Sequence, residues 1–212
     1  MVKIYQKKKT IFSIIALSTC FISSVALAMD TKGSNFGYTY IEGGAIATNF
    51  DDKIGDHKGM TGGYADASYQ PGDNVYFRID GSYLRDKKSN TKINSSSNSF
   101  GIGFVEGVGD RADLTAVLNY MTVRAEGCIG SNCASATDTG LGIGVGVRYW
   151  MNEGMEINGG VQYTNFKDFD DTTALSIGMA FWMGDNSSIR ATVAGTKDQK
   201  SAAIGYRYTF GR

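Results

Sequence analysis

Seven ionisable side chains sit where a chain tolerates stray charge least. Glu42, Asp66, Arg78, Asp80, Arg148, Arg190 and Arg207 each fall in the middle of a stretch that alternates between apolar and small polar residues. Opposite charges confined in a narrow space must pair, because an unpartnered buried ion is very costly. The acids are therefore expected to meet the arginines. The result would be either a packed polar core or a line of fixed charges along a thin ion path. The remaining candidates for chemistry are sparse. His57 is the single histidine and lies in Asp51-Asp-Lys-Ile-Gly-Asp-His-Lys58, which reads as an exposed loop. It could join a carboxylate or a serine in a hydrolytic set, but no matching constellation accompanies it, and no catalytic residue is assigned. Asp51, Asp52 and Asp56 could offer oxygen ligands to calcium. A solvated acidic loop is the ordinary reading, and no metal or cofactor site is assigned.

Cys128 and Cys133 stand in the loop-like stretch Gly127-Cys-Ile-Gly-Ser-Asn-Cys-Ala134. In an exported chain they are expected to form a local disulfide. Further ligands for a metal are lacking nearby, and the spacing is wider than the usual redox motif. Gly101-Ile-Gly-Phe-Val-Glu-Gly107 and Gly140-Leu-Gly-Ile-Gly-Val-Gly146 could be taken for phosphate-binding loops. Such a loop needs a preceding strand and a following helix. Here the glycines alternate within a strand, so they serve to keep one of its faces small.

The elements that carry these residues follow from a two-beat pattern running from Phe36 to the end of the chain. Leu141, Ile143, Val145, Val147 and Tyr149 alternate with Gly142, Gly144, Gly146 and Arg148. Period-two alternation means strands with two unlike faces. The pattern predicts ten strands, near 36–48, 60–70, 75–84, 98–106, 113–124, 139–150, 155–165, 173–183, 188–196 and 201–211, with eight as the alternative count. Short connections (71–74, 107–112, 151–154, 184–187) alternate with longer ones (49–59, 85–97, 125–138, 166–172). The fold class expected is all-β: an antiparallel up-and-down transmembrane barrel.

The charged side chains decide which beat faces lipid. Each charge turned to the bilayer midplane would cost about 2–4 kcal/mol, and several would exceed the stability of an ordinary domain, about 5–15 kcal/mol. The apolar beat is therefore expected outside. Aromatic residues on it gather near strand ends, as in a membrane girdle. Tyr69, Phe77, Phe104, Tyr149, Phe181, Tyr208 and Phe210 fall at one level, and Tyr83, Phe100, Tyr120 and Tyr163 at the other.

The chain opens with Lys3, Lys7, Lys8 and Lys9, an apolar run from Ile11 to Leu27, and Ala26-Leu27-Ala28. This reads as a signal peptide, residues 1–28, cleaved before a barrel domain of residues 29–212. A retained membrane helix and a lipidated Cys20 are the weaker alternatives. The four lysines are the only charges of the leader, so the remaining 184 residues carry 17 basic and 21 acidic side chains, a net of −4. That balance disfavours nucleic acid as a partner.

The ending Ala203-Ile-Gly-Tyr-Arg-Tyr-Thr-Phe210-Gly-Arg resembles the C-terminal insertion signal of Gram-negative outer-membrane proteins, with Gly205, Tyr208 and Phe210 filling the pattern. The trailing Gly211-Arg212 departs from it, since the signal normally ends on the aromatic. Tyr38-Thr-Tyr-Ile-Glu-Gly-Gly44 and the ten-run layout resemble the small Ax-type outer-membrane proteins and, more broadly, the OmpA- and OmpX-like porin-family barrels. The resemblance implies export through the periplasm to the cell outer membrane. It also implies contact with outer-membrane lipid and lipopolysaccharide, and handling by the assembly machinery. A structural or surface-interaction role, with a host or cell-surface ligand on the loops, is the leading expectation. A small passive channel comes second and an outer-membrane hydrolase third. The basic stretch 85–97 is a candidate contact for anionic lipopolysaccharide or a host surface, beside the plainer reading of a solvated loop.

Overall fold

The computed structural model describes residues 34–210. The leader, Cys20 and Gly211-Arg212 lie outside the described residues. The described residues form ten strands: β1 (Tyr40–Ile54), β2 (His57–Tyr69), β3 (Val75–Lys88), β4 (Thr91–Val108), β5 (Ala112–Ile129), β6 (Asn132–Asn152), β7 (Met155–Phe166), β8 (Thr172–Trp182), β9 (Ser187–Gly195) and β10 (Gln199–Thr209). Each pairs antiparallel with its sequence neighbours, and β1 closes on β10 from Tyr40–Thr209 to Phe50–Gln199. Closure leaves no strand edge unpaired, which is what hydrocarbon demands of a sheet.

Alternation sends the apolar beat outward. Ile41, Ile79, Leu118, Leu141, Ile143, Leu175, Ile177 and Ile204 are exposed on the wall, whereas Glu42, Asp66, Arg78, Arg148, Arg190 and Arg207 are buried. Tyr69, Phe104 and Phe181 are exposed near the end that holds the short turns, and Tyr83, Phe100, Tyr120 and Tyr163 near the other. The wall between these girdles faces lipid.

Three expected loops are strand instead. Segments 85–97 and 125–138 continue the ladders, and 49–59 does so with a register irregularity between Asn49 and Ile54; their turns shrink to Ser89-Asn90, Gly130-Ser131 and Gly55-Asp56 between the last Cα partners. These segments are hydrophilic and lack the apolar beat, so they do not read as strands. Backbone pairing needs only a neighbouring strand and a tight turn. Gly55 and Gly130 supply the left-handed φ (62° and 61°) that a two-residue hairpin requires. The start of β1 is also corrected: residues 36–39 are not strand, and β1 begins at Tyr40.

Cys128 and Cys133 form the disulfide expected, as Cα partners near the tip of the β5–β6 hairpin. The ring is short, so its removal should cost about 2 kcal/mol in the chain-entropy model. Cys128→Ser/Cys133→Ser should insert normally and unfold slightly earlier in urea; failed insertion would show that the bond guides folding. Leu175→Arg, on the bare wall between the girdles, should cut membrane yield and heat-modifiable gel mobility, the cost being about 2–4 kcal/mol near the midplane. Unchanged yield would refute the outward assignment.

Candidate functional site: the charged lumen

The inward beat stacks the lumen in layers. At the level of Glu42, three carboxylates stand side by side, because Glu42, Asp66 and Asp80 are successive Cα partners on β1, β2 and β3. Like charges so placed repel, and arginines relieve them. Arg78 grips Asp66 with two hydrogen bonds, Nε to Oδ1 at 2.9 Å and Nη2 to Oδ2 at 2.7 Å. Its Nε also lies 3.6 Å from Asp80 Oδ1, which accepts a 2.8 Å bond from the Ser99 hydroxyl. Glu42 Oε2 accepts from Arg190 Nη1 at 2.8 Å and Arg207 Nε at 2.7 Å, and the Tyr64 hydroxyl donates to Oε1 at 2.8 Å.

Arg148 departs from the expected pairing. It meets none of the three predicted acids and instead forks onto Glu156 of β7, with both bonds at 2.8 Å. Glu156 sits one residue inside a predicted strand end, where facing is hardest to read. Its parity could have found it: Ile157 belongs to the outward beat, so Glu156 must point in. With Glu156 included, four carboxylates face four guanidinium groups in this layer. The bidentate pairs are the strong form of such contacts.

Below this layer the chain closes its own barrel. Residues 34–39, ahead of β1, fold into the mouth at the short-turn end. Asp113 accepts from the Ser34 hydroxyl at 2.6 Å and the Asn35 amide at 2.9 Å. Phe36 stacks on Trp150 with centroids 4.8 Å apart, and Tyr38 stacks on Tyr76 at 5.1 Å. The Arg148 guanidinium carbon lies 4.4 Å from the Phe36 ring centre and 4.8 Å from that of Tyr38. The space left among Tyr38, Tyr40, Tyr76 and the four arginines is about 20 Å³, room for roughly one water.

Above the charged layer apolar side chains join the polar ones in the lumen. Ile46, Phe50, Ile54, Met60, Leu84 and Ile93 form one buried cluster, and Met121, Val123 and Phe166 another. At this height the outside carries Asp51, Lys53, Lys58, Arg85, Lys87 and Arg124, all exposed. Past the outer girdle the wall meets water, and apolar side chains enter the interior beside buried polar ones such as Thr48, Ser95, Ser97, Gln199 and Ser201.

His57 is buried, not looped into solvent. Its Nδ1 lies 2.7 Å from Asp86 Oδ2 and its Nε2 3.0 Å from Thr91 Oγ1, tying β2 to β3 and β4. The order carboxylate–imidazole–hydroxyl is that of a hydrolytic relay. Here, however, the Thr91 hydroxyl donates to the Lys88 carbonyl at 2.9 Å and closes the hairpin turn. The three loop aspartates do not converge: Asp51 pairs with Lys200 at 2.8 Å, and Asp52 and Asp56 are exposed. Gly205 faces the lumen where the Tyr64 ring fills the space of a side chain. Tyr208 and Phe210 lie edge to face, 4.9 Å apart, at the end of β10.

Arg148→Met should leave Glu156 buried without a counter-ion and cost about 3–5 kcal/mol. Arg148→Met/Glu156→Leu should recover most of that loss. Urea midpoints followed by Trp fluorescence in detergent check this, since Trp150 packs in the adjacent layer. Equal midpoints for the single and double variants would mean that the pair is not coupled.

No curated protein matches the sequence. Among solved structures, Ail, the attachment invasion locus protein of Yersinia pestis, aligns over 81% of this chain and 99% of its own at 14% identity, with a TM-score of 0.43. Neisserial surface protein A aligns over 85% and 100% at 14% identity and 0.45, and the KdgM porin over 81% and 99% at 9% identity and 0.46. A YadA-like membrane anchor domain model matches residues 168–210. The outer membrane protein beta-barrel domain model matches residues 13–181. That match spans well over half of a chain already seen to close as an inside-out barrel: the chain belongs to the outer membrane beta-barrel domain family, and its place is the cell outer membrane.

Proposed function

We propose that this barrel is a non-enzymatic envelope protein whose outward hairpins form a contact surface. The leader of residues 1–28 would be removed on export, leaving the 29–212 domain to the outer-membrane assembly machinery. Gly205, Tyr208 and Phe210 would serve as its insertion signal. The observation that carries the reading is a lumen crossed by three successive groups of packed side chains beneath an unusually tall rim. An aromatic plug, eight paired charges and an apolar cap succeed one another along the axis. Meanwhile β4, β5 and β6 run to 18, 18 and 21 residues, whereas about 9–11 suffice to cross a bilayer. The surplus on β6, about ten residues, is roughly 30 Å of strand. That surplus is braced by the Cys128–Cys133 bond and by the Gly130 amide donating to the Asn90 carbonyl of the next tip. A rigid blade of paired strands suits presentation to a partner at the cell surface. It adds nothing to conduction.

The passive channel is the second reading, favoured only by the inward glycines. Several of these are already filled: the Tyr76 ring occupies the side-chain space of Gly103, and Asn119 that of Gly142. In planar bilayers the protein should show no stable opening above leak, whereas Tyr38→Ala/Trp150→Ala should raise leak by loosening the plug. A steady conductance from the unmodified protein would replace this proposal with the channel. Retention of expressing cells on epithelial monolayers tests the contact surface. Replacing Ile129–Asn132 with Gly-Asn should lower retention while leaving membrane yield intact. Screens against peptides and lipid A should show no turnover that His57→Ala removes.

A further inference from the structure

A groove of about 900 Å³ runs down the outside of the wall over β2 and β3. Gly63, Ala65 and Gly81 form its floor, and Tyr83 and Asn98 stand at its sides. Gly63 pairs with Tyr83 and Ala65 with Gly81, so the floor is continuous across the two strands. Every one of these residues belongs to the outward beat, hence the groove opens to lipid. It lies in the half of the bilayer nearer the long hairpins, because its upper end is Arg85 and Lys87, immediately past the girdle residue Tyr83.

The charge at that end is mostly positive. Arg85 and Lys87 are exposed on β3, and Asp86 between them, which also lines the groove, is turned to His57 Nδ1 at 2.7 Å. On the next strands Lys92 and Arg124 each lie 3.8 Å from Glu126, the one carboxylate between them. Four cations against two carboxylates, Asp86 and Glu126, therefore crown the groove and its flank. The rim at the β7–β8 turn has the opposite character, with Asp168, Asp170 and Asp171 exposed beside Lys167. An occupant of the β2–β3 side must bring an apolar chain for the floor and negative charge for the crown. A protein partner would have to enter hydrocarbon to reach Ala65, whereas a lipid of the outer leaflet is already there.

We propose that a phosphorylated, multiply acylated glycolipid of the outer leaflet seats an acyl chain in the β2–β3 groove. Its phosphate rests on Arg85 and Lys87, and Lys92 with Arg124 receive a second anionic group. The guanidinium of Arg85 can hold two phosphate oxygens at once, which Lys87 supplements as a mobile point charge. This inference rests on the outer-membrane placement of the barrel and is independent of whether the hairpin tips bind a cell-surface partner.

Native mass spectrometry of the folded protein in detergent, titrated with bis-phosphorylated hexa-acyl lipid A, counts the bound lipid. One tight site is expected. Arg85→Glu/Lys87→Glu should weaken it at least roughly tenfold, as two cations near a membrane surface warrant. Gly63→Leu should weaken it comparably by filling the floor. A Cβ at Gly63 would make only an ordinary 3.4 Å contact, with the Gly44 carbonyl, so folding is preserved and heat-modifiable mobility verifies it. Lys167→Glu, at the exposed β7–β8 turn across the barrel, should leave binding unchanged. Dephosphorylated lipid A should bind weakly, and millimolar inorganic phosphate should not displace the intact lipid. Undiminished binding by either groove variant overturns the site. Equal binding of dephosphorylated lipid or of phosphatidylethanolamine overturns the assigned chemistry. Cell retention and conductance are read separately, so failure here leaves the proposed function standing, and the reverse also holds.

Discussion

Hydrocarbon offers no hydrogen-bond partner, and the whole molecule is arranged around that fact. Every backbone amide and carbonyl between the girdles must find its partner within the wall, so the strands close into a ring. The wall must be apolar outside, so all polarity is driven onto one inner surface. A barrel of this width leaves the inward side chains within reach of one another. Charges there either neutralise each other or destabilise the fold by several kcal/mol per ion. The neighbouring carboxylates of Glu42, Asp66 and Asp80 are tolerated only because Arg78, Arg190 and Arg207 reach them. Arg148 is held from both sides, by Glu156 and by the rings of Phe36 and Tyr38.

The same sheet crosses two solvents, and its packing logic reverses at the boundary. Between the girdles the outside is Leu, Ile and Val, and the inside carries ions. Above the outer girdle Leu84, Ile93 and Met60 are buried while Arg85, Lys87 and Lys58 are exposed. The β3–β4, β4–β5 and β5–β6 ladders run through this change unbroken, whereas β7 to β10 turn back near it. What lies above it on β3 to β6 is held by the same backbone ladders, by the Cys128–Cys133 bond and by His57 between Asp86 and Thr91. The extended hairpins thus behave as a continuation of the barrel and not as appended loops.

Much of this was legible in the residues. The count of ten strands follows from period-two alternation, and the facing follows from the prohibitive cost of arginine in lipid. The extended hairpins were not legible, because residues such as Ser95 and Ser97 in β4 carry no apolar beat, yet their backbones pair as well as any. Nor was the apolar cap: Phe50 and Met60 fall outside the membrane-phase pattern, so the inner face read as polar throughout. His57 read as solvated because its partners, Asp86 and Thr91, belong to other strands.

The sequence alone determined the faces. Alternation is local, and one residue of parity settles which side chains share a surface. Partnership within that surface was decided only by the tertiary structure. Whether Arg148 meets Asp66 or Glu156 depends on strand register and on distance across the barrel. Whether Phe36 extends a strand or plugs the mouth depends on Trp150 and Asp113, far away in the chain. Electrostatic and packing energies act through space, so a one-dimensional pattern can say that these groups must be satisfied without saying by which neighbour.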